Sequence, residues 1–225
     1  MPRVARLPAN YPRNVFINCP FDDVYEPIFN AIVFAVNDMG FRPKSAKDES
    51  NAGNVRFNKI QDLISECKYS IHDISRTELD GTTGLPRFNM PLELGLDLGC
   101  KRYGKSYHQE KVVLVLDVDR FRYRDFISDI AGQDIEGHGS HEQEAINAVR
   151  NWLRLELDPR LVITPGGATI YQRYTSFRAT LPTICAKLTW DIDDLPFSDF
   201  SWAVADWIAN NPLPRPGIRG RSRRV

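Results

Sequence analysis

At 225 residues, with 42% apolar and 26% charged residues, the chain is long enough for one large domain or two small ones and ordinary for a globular protein. The formal charge is zero, yet five arginines and no acid fall in the last fifteen residues, NPLPRPGIRGRSRRV; the rest is mildly acidic, which argues against a broad phosphate-binding face. There is no apolar run of eighteen residues, so no membrane span is expected; with no secretory-signal stretch in MPRVARLPANYPRN and no CxxC among Cys19, Cys67, Cys100 and Cys185, the chain fits buried or free thiols in a reducing cytoplasm better than a disulfide framework or a zinc site.

VFINC, residues 15–19, reads as a short buried strand, and CPFDD as a turn after it. YEPIFNAIVFAVNDMG sets Ile28, Ile32, Ala35, Val36 and Met39 at helical spacing, with Gly40 as the C-terminal cap. FRPKSA predicts a second strand, weakened by Pro43, and KDESNAGN a loop. VRFNKIQDLISEC is an amphipathic helix with Phe57, Ile60, Leu63, Ile64 and Cys67 on one face. YSIHDIS, residues 69–75, is a third strand, RTELDGTTGLPRF a loop, and NMPLELGLDLGCKRYG a helix ending at Gly104. KVVLVLD, residues 111–117, is an unbroken apolar run suited to a central parallel strand.

RFRYRDFISDI predicts a helix and GQDIEGH a short fifth strand. SHEQEAINAVRNWLRLEL is a helix opened by a capping box of Ser140 and Gln143. TPGGATIYQRYTSFRATLPTICAKLTW is a long helix with a kink expected at Pro182. Residues 191–211 read as an acidic loop and a helix whose Trp202, Val204, Ala205, Trp207 and Ile208 suit docking on the body or on a partner. The alternation predicts an α/β fold: a flavodoxin-like parallel sheet of about five strands, helices on both faces and a helical C-terminal appendage. Residues 1–13 read as a flexible N-terminus, 14–190 as the α/β domain with its C-terminal helices, and 191–225 as an acidic, aromatic segment with a basic disordered tail.

Open parallel sheets bind ligands outside the carboxyl ends of their strands. Asn18, Phe21 and Asp22 follow the first strand, Lys47, Asp48 and then Arg56 the second, and Asp73, Ser75 and Arg76 the third, with a loop running on to Arg87 and Asn89. These groups should converge on one rim. Asn89 is the N-cap candidate of the next helix, with Pro91 and Glu93 in its first turn. The helix dipole should keep Glu93 ionised there. Such a carboxylate can bind ribose hydroxyls and stabilise an oxocarbenium ion as an N-glycosidic bond breaks. It can equally do no more than charge a helix N-terminus. Asn18, Asp22 and Asp73 are turn-formers as much as ligand candidates. Gly95 and Gly99 leave one helix face bare. His72 reads as a half-buried strand residue facing away from Asp73. His138 and His141 read as loop residues with no metal-ligand spacing. No GxxxxGK[ST], no GxGxxG after the first strand and no GxSxG is present, which argues against kinase, dinucleotide dehydrogenase and serine hydrolase chemistry.

VFINCPFDD, YSIHDIS and RFNMPLELGLDLG, in that order on strand, strand and helix, resemble the TIR-like and nucleoside 2-deoxyribosyltransferase-like superfamily, most closely its bacterial stand-alone TIR-like proteins. The resemblance covers roughly residues 14–135. It implies that Glu93, in PLELG, stands at the position of the family glutamate, that Asp73 matches by position, and that CPF lies in the loop contacting base and sugar. The activity implied is cleavage of the nicotinamide–ribose bond of NAD+ as substrate, with hydrolysis or cyclisation of the product, in bacterial anti-phage defence. Glu93 would be catalytic; Asn18, Phe21, Asp22, Asp73, Ser75, Arg87 and Asn89 would bind the nucleotide, the arginine suiting a phosphate. No cofactor and no metal is implied, nicotinamide being a good leaving group. The partners implied are the nucleotide and either further copies of the chain, as a homo-oligomer, or a defence-system protein; no membrane is implied, and nucleic acid only through the basic tail. Transferases of the same superfamily move deoxyribose between bases with the glutamate as nucleophile. Base exchange therefore stays open, as does nucleotide binding without turnover. The aromatic/Cys signature of many TIR domains is replaced here by Phe88-Asn89-Met90-Pro91, and no complete transferase carboxylate pair is found.

Overall fold

Five short strands pair side by side, all parallel. In chain order they are β1 (Asn14–Asn18), β2 (Arg42–Lys44), β3 (Tyr69–Asp73), β4 (Val112–Asp117) and β5 (Ile135–Gly137); in space the order is β2-β1-β3-β4-β5. This computed structural model describes residues 7–48, 53, 55–79, 81–86, 88–158 and 164–213. The architecture is the α/β parallel sheet with C-terminal helices that the alternation predicts.

Side chains alternate across a strand, so each strand feeds both faces. Val15 and Ile17 of β1 face a core shared with α1 (Glu26–Asp38) and α4 (Glu142–Leu155). Phe16 faces α2 (Arg56–Glu66), where it meets Ile60, Leu63 and Ile64. Leu94 of α3 (Asn89–Tyr103) packs with Ile74 and Val115 on that second face. Residues buried on both sides explain why the central strands read as continuous apolar runs. Pro43 is tolerated because β2 is an edge strand paired only with β1. Gly40, with φ of 82°, ends α1, and Phe41 N–H closes the cap on the Val36 carbonyl at 3.0 Å.

α5 (Gly167–Leu188) and α6 (Phe197–Asn210) form an outer layer over α1 and α4. α6 docks on the body: Trp207 lies 5.9 Å from the Phe34 ring and 6.0 Å from Phe177. Arg173 of α5 grips Asp38 at the end of α1 with paired hydrogen bonds of 3.1 and 2.8 Å. α5 runs on through Pro182 without interruption of its assigned helix.

Two expected elements differ. The helix expected in RFRYRDFISDI is instead two 3-10 turns, Arg122–Asp125 and Ser128–Ile130. The apolar spacing is helical, but Arg122 is held by Asp117, by Thr77 and by the Ser75 carbonyl, which ties the segment to strand ends and leaves no room for helical turns. The capping box is absent as well. Ser140 takes φ of 59°, its N–H donates to His138 Nδ1, and His141 is the N-cap of α4. Among the described residues no helix is long and apolar enough to cross a membrane. The tail beyond residue 213, with its arginines, lies outside the described residues.

Candidate functional site

The chain leaves β1 for the edge strand β2 and then returns across β1 to form β3. At that reversal the connections diverge and leave a crevice at the carboxyl ends of β1 and β3. A cleft of about 360 Å³ opens there. Cys19, Phe21 and Asp22 line it from the end of β1, Arg76 and Glu78 from the end of β3, Arg56 from the start of α2, and Asn89 and Met90 from the start of α3. The loop after β3 is pinned by a bridge between Leu79 and Pro86.

Glu93 is not among the residues lining this cleft; it is only 7% exposed and lies near enough to act electrostatically with Arg56 and Cys19, which do line it. It makes no hydrogen bond or ion pair with another described residue. Burial pushes its carboxyl up to about 7, while the positive charge of Arg56 pulls the other way. This corrects the expectation of a carboxylate held ionised by the helix dipole. α3 begins at Asn89 with Phe88 as its N-cap, so Asn89 is helical rather than capping, and Glu93 lies past the first turn, where loss of water outweighs the dipole.

Asp22 accepts the Tyr25 N–H at 3.0 Å, which makes the turn, and takes Arg76 in a two-pronged pair of 3.2 and 2.8 Å. Burial raises its carboxyl, but the Arg76 hydrogen bond, the Tyr25 and Val24 N–H groups and the Arg76 charge outweigh it, so the pKa ends below its ordinary value. Phe21 packs edge-on to Phe29 at 6.0 Å, with Lys47 Nζ 5.2 Å from its ring centre. Asn89 is exposed on the cleft wall.

Three other candidates are turned inward. Asn18 is 2% exposed and donates through Nδ2 to His72 Nδ1 at 2.9 Å. His72 Nε2 in turn lies 2.9 Å from Asp97 Oδ2, and Lys111 Nζ lies 3.1 Å from Asp97 Oδ1. Lys111 also donates to the Ile64 and Cys67 carbonyls at 2.8 and 2.5 Å. Burial raises the Asp97 carboxyl, but the hydrogen bond and charge of His72 and the charge of Lys111 bring it below its usual range. His72 is thus fully buried, not half-buried, and on the face opposite to Asp73 as the strand alternation requires.

Asp73 is also fully buried. It accepts the Tyr25 hydroxyl at 2.5 Å and the Ser75 N–H at 2.8 Å, and His138 Nε2 lies 3.0 Å from its Oδ2. His138 is a loop residue, directly after β5, and a buried one, set against Asp73 of β3. Ser75 is 2% exposed, with its carbonyl held by Arg122 at 2.6 Å. The Cys19 thiol, on the cleft floor, is pushed well up by burial and by the Asp73 charge, so it stays protonated. Arg87 lies outside the described residues.

The structure thus brings Phe21, Asp22 and Asn89 to one cleft beside Glu93, and places Asn18, Asp73 and Ser75 beneath it as scaffolding. Arg56 and Arg76 meet on this rim as their places after the second and third strands predict, though sequence reasoning gave them no role; Glu78 and Met90 it passed over. Among the described residues no group of three His, Cys, Asp or Glu side chains is placed to hold a metal ion. No protein family, curated protein or solved structure matches the chain.

Proposed function

We propose that this chain cleaves the N-glycosidic bond of NAD+, with Glu93 as the catalytic carboxylate, and that it is a TIR-like enzyme. The observation that carries the reading is Glu93 itself: a buried carboxyl with no hydrogen-bond partner among the described residues, within electrostatic reach of Arg56 and Cys19 of the switch-point cleft. A buried carboxyl left unpaired costs stability, and such groups concentrate at functional sites. In a site shielded from water its ionised form acts strongly on positive charge developing at the ribose C1′. The C1′–N1 bond breaks with its electron pair leaving on nicotinamide, and water then adds to C1′ and releases a proton. Arg56 lines the cleft, makes no ion pair with another described residue and is free to meet a phosphate. Arg76, already clamped by Asp22, shapes the wall instead.

The small cleft, about 360 Å³ and near the lower end of small-molecule sites, favours a second reading, transfer of deoxyribose between bases with Glu93 as nucleophile. Mass-resolved chromatography separates the two. Incubated with NAD+, the wild-type chain is expected to release nicotinamide, and the Glu93→Ala variant none. Product formed only from a deoxynucleoside and a free base would establish the transferase instead. Binding of NAD+ without product from any of these would replace both with a nucleotide-sensing module.

A further inference from the structure

A second cavity, of about 330 Å³, opens on the other side of Phe29 from the switch-point cleft. Its walls are Phe29 of α1, Leu181 of α5, Leu195 of the acidic loop, and Phe197 and Phe200 of α6. Glu26 and Asn30, one turn apart on α1, supply polar groups, and Lys47 closes the end nearest the cleft. The partition is thin. Phe21 of the cleft and Phe29 of the cavity meet edge-on at 6.0 Å. Lys47 Nζ sits above both rings, 5.2 and 4.6 Å from their centres. It makes no ion pair with another described residue, and a cation resting over rings stays available to an anion.

Two cavities of nucleoside scale, meeting at the Phe21–Phe29 contact with Lys47 over it, have the layout of a dinucleotide: base and sugar, phosphates, base and sugar. We propose that the α1–α5–α6 cavity takes the adenosine half of the dinucleotide whose nicotinamide riboside half enters the switch-point cleft, with Lys47 on the pyrophosphate. This rests on the NAD+ reading of the cleft. The aromatic and aliphatic walls give a purine an apolar bed. The Glu26 carboxylate and the Asn30 amide oxygen accept from its exocyclic amine. The other cation at the cavity, Arg178, is turned to Glu142 at 2.8 Å, which leaves Lys47 as the phosphate contact.

The test is calorimetric titration of the whole chain with AMP, adenosine and nicotinamide mononucleotide. Leu195→Trp fills the cavity and is expected to weaken AMP by about tenfold or more while leaving nicotinamide mononucleotide unchanged. Lys47→Ala removes an exposed side chain and is expected to weaken AMP about tenfold with adenosine unaltered. AMP that does not bind the wild type, or binds both variants as it binds the wild type, overturns the inference. Should nicotinamide mononucleotide alone fail to bind while AMP behaves as expected, the nicotinamide reading of the cleft falls and the adenylate cavity stands.

Discussion

The two faces of the sheet are built on different physics. The face under α1, α4, α5 and α6 is one large apolar core, with Phe34, Phe177 and Trp207 at its centre and the buried Tyr25–Asp73–His138 cluster at its edge. The face under α2 and α3 splits into two smaller apolar clusters, and the polar chain Asn18–His72–Asp97–Lys111 runs beneath the same helices. Apolar packing tolerates many arrangements of similar volume, whereas a buried polar chain has partners at set distances and directions. Asp97 and Glu93 lie four residues apart on α3, so a network that seats Asp97 also sets where Glu93 points. One face holds the fold together; the other holds the carboxylate in place.

The sharpest way to break that comparison is to remove one member of the network. Asp97→Ala leaves His72 and Lys111 buried without their shared anion and is expected to cost about 3–5 kcal/mol, read by denaturant unfolding. Phe34→Ala, on the apolar face, should cost a similar ~3–5 kcal/mol through its cavity. The two differ in function. On the NAD+ reading, the Phe34 variant should keep its rate of nicotinamide release per folded molecule and the Asp97 variant should lose it. Equal rates in both would show that the polar chain does not position Glu93.

Glu93→Gln is the next largest effect, and it is stabilising. The folded carboxyl, at about 7, sits above its ordinary 4.5. Between those values the native chain keeps a proton that the unfolded chain has released, so ionisation penalises the fold progressively as pH rises, and by a constant amount above 7. The variant should match the wild type below pH 4.5 and exceed it by at most roughly 3 kcal/mol above pH 7, measured by urea midpoints across that range. A gain that does not vary with pH would mean that Glu93 titrates normally. Smallest is Arg76→Ala: the Asp22 pair is more than a third exposed and should contribute under about 1 kcal/mol to stability. Its loss should show instead as weaker nucleotide binding, because Arg76 and Asp22 shape the cleft wall.

The fold was readable wherever one period dominated. α1, α4 and the β4 run declare themselves by apolar spacing, and Gly40 marks its helix end through a backbone angle few other residues adopt. The segment 120–130 misled because Phe121, Tyr123, Phe126, Ile127 and Ile130 keep helical spacing while Arg122 answers to Asp117 on a strand, a tertiary partner that no local pattern carries. The site was legible in part. Glu93, Phe21, Asp22 and Asn89 follow from the rule that ligands gather at strand ends. That Asn18 and Asp73 face inward depends on which neighbour each strand takes: Asn18 meets His72 only because β1 pairs with β3, and Asp73 meets His138 only because β5 closes the sheet beyond β4. The raised carboxyl of Glu93 needs the three-dimensional burial that sequence does not contain.

The most direct measurement is the pH profile of kcat/KM for nicotinamide release from NAD+, for the wild type and for Glu93→Gln. That parameter reports the free enzyme's own titration. The account predicts a rate that rises with pH with its midpoint near 7, as Glu93 becomes the carboxylate, and no such release from the variant. A profile flat across that range, or a variant that releases nicotinamide as fast as the wild type, would contradict it.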